Sequence, residues 1–263
     1  MPTVQLACLD GVVMPAAEAR IPATDEGLLH GDGVVEQLRL YGGRPFALAD
    51  HLARLERSAA NLRLPLDLDS VHADVATLLT AAGTGSEHAL LRIVLTRSGR
   101  QLLLTEPLPA RPGRLRLASV TYAPSRLLDE IASTSRAPQA LATRLAVERG
   151  FDEALLVTPH GRVLEAPSAT IFWVASGHLR TTPLSDHVRD AVTRARVVAL
   201  TGASEQAIAL DQLKRADEAF LASTAHEIVP IAGIDDAELE AGAVTRDVAA
   251  RLHELIRTEL REG

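Results

Sequence analysis

What this sequence lacks narrows it first. It has one cysteine, Cys8, so no internal disulfide can form and a reducing cytoplasm is expected. No apolar run approaches the roughly 18 residues of a membrane span. The opening MPTVQLACLDG lacks the basic-then-apolar pattern of a secretory signal. Positive charge is in deficit: the formal net charge of −7 argues against nucleic acid as a partner. Lysine is nearly absent, Lys214 being the only one, so a mechanism that needs a lysine amine has a single candidate. The nine histidines are scattered, and His226-Glu227 lacks the second histidine of the zinc helix motif. A metal hydrolase is therefore rejected and no metal site is expected.

What remains is a chain of 263 residues, long enough for one large or two small domains. Its residues are 47% hydrophobic and 23% charged, the balance of a soluble globular protein. The runs VQLACLD and VVMPA flank an Asp10-Gly11 turn signal and predict a hairpin. VVEQLRLY predicts a strand. A helix is expected over residues 50–63, capped by Asp50 and striped with Leu52, Leu55, Ala59 and Leu62 before Pro65. Ser70 is expected to cap a second helix carrying Val71, Val75, Leu78 and Leu79. LLRIVLTR and QLLLTE read as strands around Ser98-Gly99.

Pro107, Pro109, Pro112 and Gly113 break this pattern and predict a linker, giving domains over 1–112 and 113–263. Beyond it come the strand RLRLASVTY, a helix over about 137–149 and the strand EALLVT. A turn at His160-Gly161 leads to RVLEA and then TIFWVA. A helix around 190–200, the strands EAFLAS and EIVPIAG, and a final amphipathic helix over roughly 243–260 complete the chain. There is no internal repeat and no low-complexity tract. Mixed strands and helices in two blocks predict two α/β or α+β domains.

Four segments then match one pattern in order. GLLHGDGVVEQLRLYGGRPFALADHLARL, residues 27–55, resembles a "GDG-V-F-E … H-x-x-R-L" entry with Val35 in place of an aromatic residue. LATRLAVERGFDEALLVTPHGRVLEAPSATIFWV, residues 141–174, is similar to a helix followed by "G-x-D-E-A-L" and "G-x-V-x-E-x-x-x-x-N-x-F". TTPLSDHVRDAVTR, residues 181–194, is similar to "T-P-P-L … G-I-T-R". EAFLASTAHEIVPIAGID, residues 218–235, is similar to "E-A-F-x-x-x-T-x-x-x-x-x-P-V". Together they identify a resemblance to the class IV, or fold type IV, pyridoxal-phosphate enzymes: branched-chain and D-amino-acid aminotransferases and aminodeoxychorismate lyases. The resemblance implies a two-domain fold with the cofactor, pyridoxal 5′-phosphate, at the domain interface. It also implies a homodimer acting on amino acids and keto acids.

Carried over residue by residue, the resemblance makes Arg54 a phosphate ligand, a role that suits a guanidinium fork. Val192 and Thr193, at a helix start, offer amides and a hydroxyl to the same anion. Thr224 completes the phosphate cup, and Arg136 falls near the cofactor's phenolic oxygen. Glu165 would face the pyridine nitrogen and keep the ring protonated; amid Val163, Leu164, Ala166 and Pro167 a carboxylate needs some partner, a pyridinium or a structural arginine. Thr170 stands where asparagine is usual, Arg189 where leucine is and Ala191 where glycine is. His30, Val35, Arg97, Arg100 and Ala225 are the candidates for the substrate pocket.

One position departs more seriously. The family's Schiff-base lysine, which also moves the proton of the substrate, aligns with Ala132 in ASTSRAPQALATRLA. Alanine can do neither job. Three explanations are open: an engineered lysine-to-alanine form, a natural homologue that has lost the lysine and either binds the cofactor without catalysis or uses other chemistry, or rescue by Lys214. The activity implied is amino-group transfer from an amino acid to a 2-keto acid, with pyruvate elimination by an aminodeoxychorismate lyase as the alternative.

Overall fold

The computed structural model describes residues 5–83 and 88–262. Val4, expected to begin the first strand, lies outside them. The chain forms two compact units, one of residues 1–109 with 130–136, the other of 110–129 with 137–263. A single boundary at 112 therefore does not describe the division. The chain leaves the first unit in the proline-rich stretch, returns for seven residues, and leaves again.

In the first unit, β1 (Leu6–Leu9) and β2 (Val12–Pro15) form the hairpin expected at Asp10-Gly11, followed by the short helix α1 (Glu26–His30). Then come β3 (Gly33–Tyr41), β4 (Arg44–Pro45), helices α2 (Leu48–Leu62) and α3 (Leu68–Ala82), and strands β5 (His88–Thr96) and β6 (Gln101–Pro107). The sheet order is β2-β1-β6-β5-β3-β4 and every pairing is antiparallel. Leu52, Leu55 and Ala59 of α2 and Val71, Val75 and Leu78 of α3 bury their stripes with Leu38, Leu91, Ile93 and Leu103 of the sheet. Two caps differ from expectation. Helix α2 begins at Leu48, not at Asp50, because Ala47 turns the chain in a left-handed conformation and no side chain caps it. Helix α3 is capped by Asp67, whose carboxylate accepts from the Ser70 amide, so Ser70 lies inside the first turn.

The second unit contains β7 (Leu115–Thr121), α4 (Ala137–Glu148), β8 (Glu153–Val157), β9 (Thr170–Ala175) and β10 (His178–Thr181). These are followed by α5 (Val192–Thr201), β11 (Ser204–Glu205), α6 (Leu210–Leu213), β12 (Glu218–Ser223), β13 (Glu227–Ile234), β14 (Ala237–Glu238) and α7 (Ala243–Glu262). Its sheet runs β11-β10-β9-β12-β13-β7-β8, with β14 beside β13. Strands β9 and β12 read as nearly continuous apolar runs because they are central and covered on both faces. Phe172 and Phe220, opposite each other in the register, stack at 5.2 Å.

The start of α7 is held by a buried carboxylate. Glu218 accepts from the amides of Val244 (3.1 Å) and Thr245 (2.8 Å) and from the Thr245 hydroxyl (2.7 Å). Burial pushes its pKa up, but the Thr245 and Val244 hydrogen bonds outweigh that and hold it below the usual carboxylate range. Gly242 passes so close that a Cβ would be driven into the Glu218 carboxylate. Gly242→Ala should therefore disturb the cap and destabilise the protein by about 1–3 kcal/mol, read as a lower urea midpoint; an unchanged midpoint would mean that the carboxylate moves aside without cost.

Candidate functional site

In the first unit the chemistry gathers between α2 and β3. The alternation of β3 sends Glu36 to the same face as Val34, Leu38 and Leu40, and all four are fully buried. A carboxylate in that apolar row must find partners, and one face of α2 supplies them. His51 Nδ1 lies 2.8 Å from Glu36 Oε2, and Arg54 meets the carboxylate with two bonds, Nε to Oε1 at 2.6 Å and Nη2 to Oε2 at 2.7 Å. Since an ionised carboxylate only accepts, Nδ1 of His51 carries the proton. Burial pushes the Glu36 pKa up; the His51 and Arg54 hydrogen bonds and the Arg54 charge outweigh it, so the carboxyl is held below its usual range. Arg54, expected as a phosphate ligand, thus has one edge committed to Glu36 while its side chain keeps 18% exposure.

Ala132 belongs to this cluster. Along the first half of β3 the returning segment 130–136 makes an isolated antiparallel bridge. The Val35 amide donates to the Ala132 carbonyl (2.7 Å), Val34 bridges Ser133, and the Thr134 amide donates to the Gly33 carbonyl (2.9 Å). The Ala132 amide donates to Ser58 Oγ, one turn beyond Arg54 on α2 (3.1 Å). Gly31 and Gly33 are needed here: Gly31 has a φ of +65° with Ser135 against it, and a Cβ on Gly33 would meet the Leu95 carbonyl. The half-buried Ala132 is therefore fixed at both backbone ends beside the Glu36–Arg54 pair. Arg136 follows on the surface, its amide on the Thr134 carbonyl.

The expected substrate residues are placed unequally. His30 ends α1 and is exposed, and the Val35 side chain is buried. Arg97 is engaged within the first unit. Its donors reach Asp32 (Nε, 2.8 Å; Nη2, 3.3 Å) and the carbonyls of Leu62 and Arg63 (2.8 and 2.7 Å), closing the end of α2. Arg100 pairs with Asp10 at 2.6 Å and steadies the first hairpin. Both arginines thus meet a carboxylate of the first unit.

In the second unit, Glu165 lies among the buried residues, and its carbonyl accepts from Leu156 of β8. Its carboxylate meets Arg189. Arg189 Nε donates to Oε1 (3.0 Å), its backbone N–H to Oε2 (3.3 Å), and Nη2 to the Ala166 carbonyl (3.2 Å). Tyr122 senses the pair; burial, then the Glu165 charge, push its pKa up, and Arg189 partly offsets them. Val192 and Thr193 open α5, whose preceding residue, Ala191, gives no side-chain cap; a helix start of this kind suits an anion. Thr170 pairs with Ala222 in the β9–β12 register, and its buried Oγ1 has no hydrogen-bond partner among the described residues. Thr224 and Ala225 lie in the three-residue turn joining β12 to β13.

Lys214, the other candidate amine, follows the short helix α6. It is not simply solvated: its Nζ sits 2.9 Å from Asp236 and 3.1 Å from Asp235, and these carboxylates, Asp236 first, raise its pKa. For a bound pyridoxal phosphate, the uncapped α5 start, the Thr193 hydroxyl and the unpartnered Thr170 hydroxyl fit an anionic, hydrogen-bonding ligand. The charge at Glu165 fits a ring nitrogen but is already shared with Arg189. Nothing at residue 132 can form an imine. Glu36 and His51 stand at named positions of the first matched segment but were given no role, and Ser58 was not picked out from the sequence. The signal was a charged residue in phase with Val34, Leu38 and Leu40, and polar residues spaced three and four apart on a helix.

A family model described as amino-transferase class IV matches residues 33–234. A protein assigned as a branched-chain-amino-acid aminotransferase in Methanocaldococcus jannaschii is 30% identical, covering 95% of this chain and 96% of its own length. D-alanine aminotransferase of Bacillus licheniformis is 26% identical over 95% and 96%. Among solved structures, the branched-chain aminotransferase of Thermoproteus uzoniensis with norvaline superposes with a TM-score of 0.88 at 28% identity, covering 95% of this chain and 94% of that one. A fold IV-transaminase from Curtobacterium pusillum, at 24% identity, shares the fold with a TM-score of 0.85 over 94% and 98%.

Proposed function

Because this chain belongs to the class IV aminotransferase family, we propose that it binds pyridoxal 5′-phosphate and, with Ala132 at the position of the Schiff-base lysine, holds it without efficient turnover. The observation that supports the reading is the start of α5, where Ala191 gives no side-chain cap and Thr193 adds a hydroxyl, an arrangement suited to a phosphate. Arg54 and Thr224 serve the same phosphate, Arg136 the phenolic oxygen, and Glu165 the ring nitrogen. The cofactor, when bound, supplies an electron sink for moving an amino group from an amino acid to a 2-keto acid. Transfer is preferred to pyruvate elimination because the relatives named above are aminotransferases. The chain is read as a cytoplasmic homodimer.

Within this reading, a natural homologue that binds without catalysis is favoured over an inactivated variant by Arg189. An arginine on Glu165 at a position usually leucine is a second departure, in the same chemistry as the missing lysine.

The test uses the chain as it is. Pyridoxal 5′-phosphate added to the purified protein should bind saturably and leave on dialysis, because no imine holds it. Pyridoxal, which lacks the phosphate, should bind at least about 10-fold more weakly, the loss of one or more charge-assisted hydrogen bonds. Equilibrium dialysis followed by absorbance measures both. Absence of saturable binding would sink the cofactor reading.

A further inference from the structure

The ion pair between Glu165 and Arg189 carries a consequence for what Glu165 can bind, and this rests on the cofactor reading above. A pyridine ring facing a carboxylate is held best when it brings its own N–H and positive charge to an acceptor that lacks both. Glu165 lacks neither. Arg189 gives one oxygen a side-chain N–H at 3.0 Å and the other a backbone N–H at 3.3 Å. The pair is only partly open to solvent, with side-chain exposures of 11% for Glu165 and 32% for Arg189. Arg189 is also anchored on the Ala166 carbonyl, one residue beyond its partner. Tyr122, which senses both charges, has its hydroxyl bonded by Gln139 Nε2 at 3.1 Å and brings no positive charge.

We propose that Arg189 is the resident counter-ion of Glu165 and a specificity-determining residue, which removes most of the site's preference for a protonated ring nitrogen. A cationic ring must either displace the guanidinium or share a carboxylate already neutralised. In both cases its advantage over a ring without nitrogen falls. The site so built selects its ligand by the phosphate end and the ring shape. It accepts phosphorylated aromatic aldehydes or amines whether or not the ring carries a basic nitrogen.

Two probes separate these effects: pyridoxal 5′-phosphate, and its carbocyclic analogue in which the ring nitrogen is replaced by C–H. Equilibrium dialysis gives a dissociation constant for each, with no enzymatic turnover needed. The unaltered chain should bind the two comparably. Arg189→Leu, which leaves Glu165 without its counter-ion, should tighten pyridoxal phosphate by about 10- to 100-fold, the range of one charge-assisted hydrogen bond. The analogue should not gain. Arg189→Lys keeps the charge and should return the near-equal pattern. If Arg189→Leu fails to fold because Glu165 is left unpaired, the Arg189→Leu/Glu165→Gln double variant removes both charges and should again bind the probes alike. A gain shared equally by both probes, or none for either, overturns the proposal, since Arg189 would then act through volume or not at all. A preference for pyridoxal phosphate that persists in the double variant overturns it as well. If neither probe binds any variant, the cofactor reading itself has failed and the inference falls with it.

Discussion

Ala132→Lys is expected to convert reversible cofactor binding into covalent attachment and to raise amino-group transfer by at least about 10²- to 10⁴-fold, the usual contribution of a positioned general base. The backbone at 132 is suited to carry such a side chain. Its amide is tied to Ser58 Oγ and its carbonyl to the Val35 amide, so the Cα does not drift. The position is half-buried, and partial desolvation lowers a lysine's pKa, leaving more of the neutral amine that attacks an aldehyde. A visible cofactor band should appear with the substitution. Borohydride reduction followed by peptide mapping should place the label on residue 132, and assays with L- and D-amino acids should then reveal the preferred donor.

The same experiment tests Lys214. An amine between Asp235 and Asp236, with its pKa raised, stays protonated at neutral pH and cannot attack a carbonyl. The unaltered chain should therefore carry no reducible label. Label on Lys214 would restore the rescue reading. Cofactor binding without label on the introduced lysine would show that the lysine position has been misplaced along the chain.

The extent to which this was legible in the sequence varies with the physics of each element. The strands and helices whose apolar residues recur with a clear period were found, β3, β12 and α2 among them, because burial of one face fixes them. The starts of α2 and α3 were not. Asp50 and Ser70 are good caps by type, but which polar residue caps depends on backbone angles at Ala47 and Asp67 that no pattern of side chains displays. Arg97 and Arg100 were read as substrate candidates because they follow a strand. The deciding partners, Asp32 with the end of α2 and Asp10, lie 65 and 90 residues away. The partner of Glu165 was anticipated in kind, a cation, while its identity needed the fold to bring Arg189 across 24 residues. The return of segment 130–136 to the first unit had no local signal, since its bridge to Val34 depends on β3 and not on its own composition.

Removing Glu36 should cost the most stability of any single change in the first unit. Glu36→Ala leaves His51 and Arg54 facing a buried gap where both had a carboxylate within 2.8 Å. Breaking a buried ion pair from one side typically costs about 3–5 kcal/mol. Glu36→Gln keeps the volume and one acceptor oxygen for His51, so it should cost less, and the difference isolates the charge. Combining Glu36→Ala with Arg54→Ala should cost less than the sum of the two, because the second change removes an orphan that the first created. The pH dependence has a definite sign. Glu36 is held below its ordinary value of 4.5, so its contribution is complete above that value and is lost as the pH falls through the lower folded value. Urea unfolding of the unaltered protein and of Glu36→Gln at neutral pH and again below 4.5 should therefore show the gap between them narrowing in acid. A gap that is already absent at neutral pH would mean that desolvation of the three side chains cancels everything they gain from one another, and the cluster would then be retained for its position beside Ala132 and not for stability.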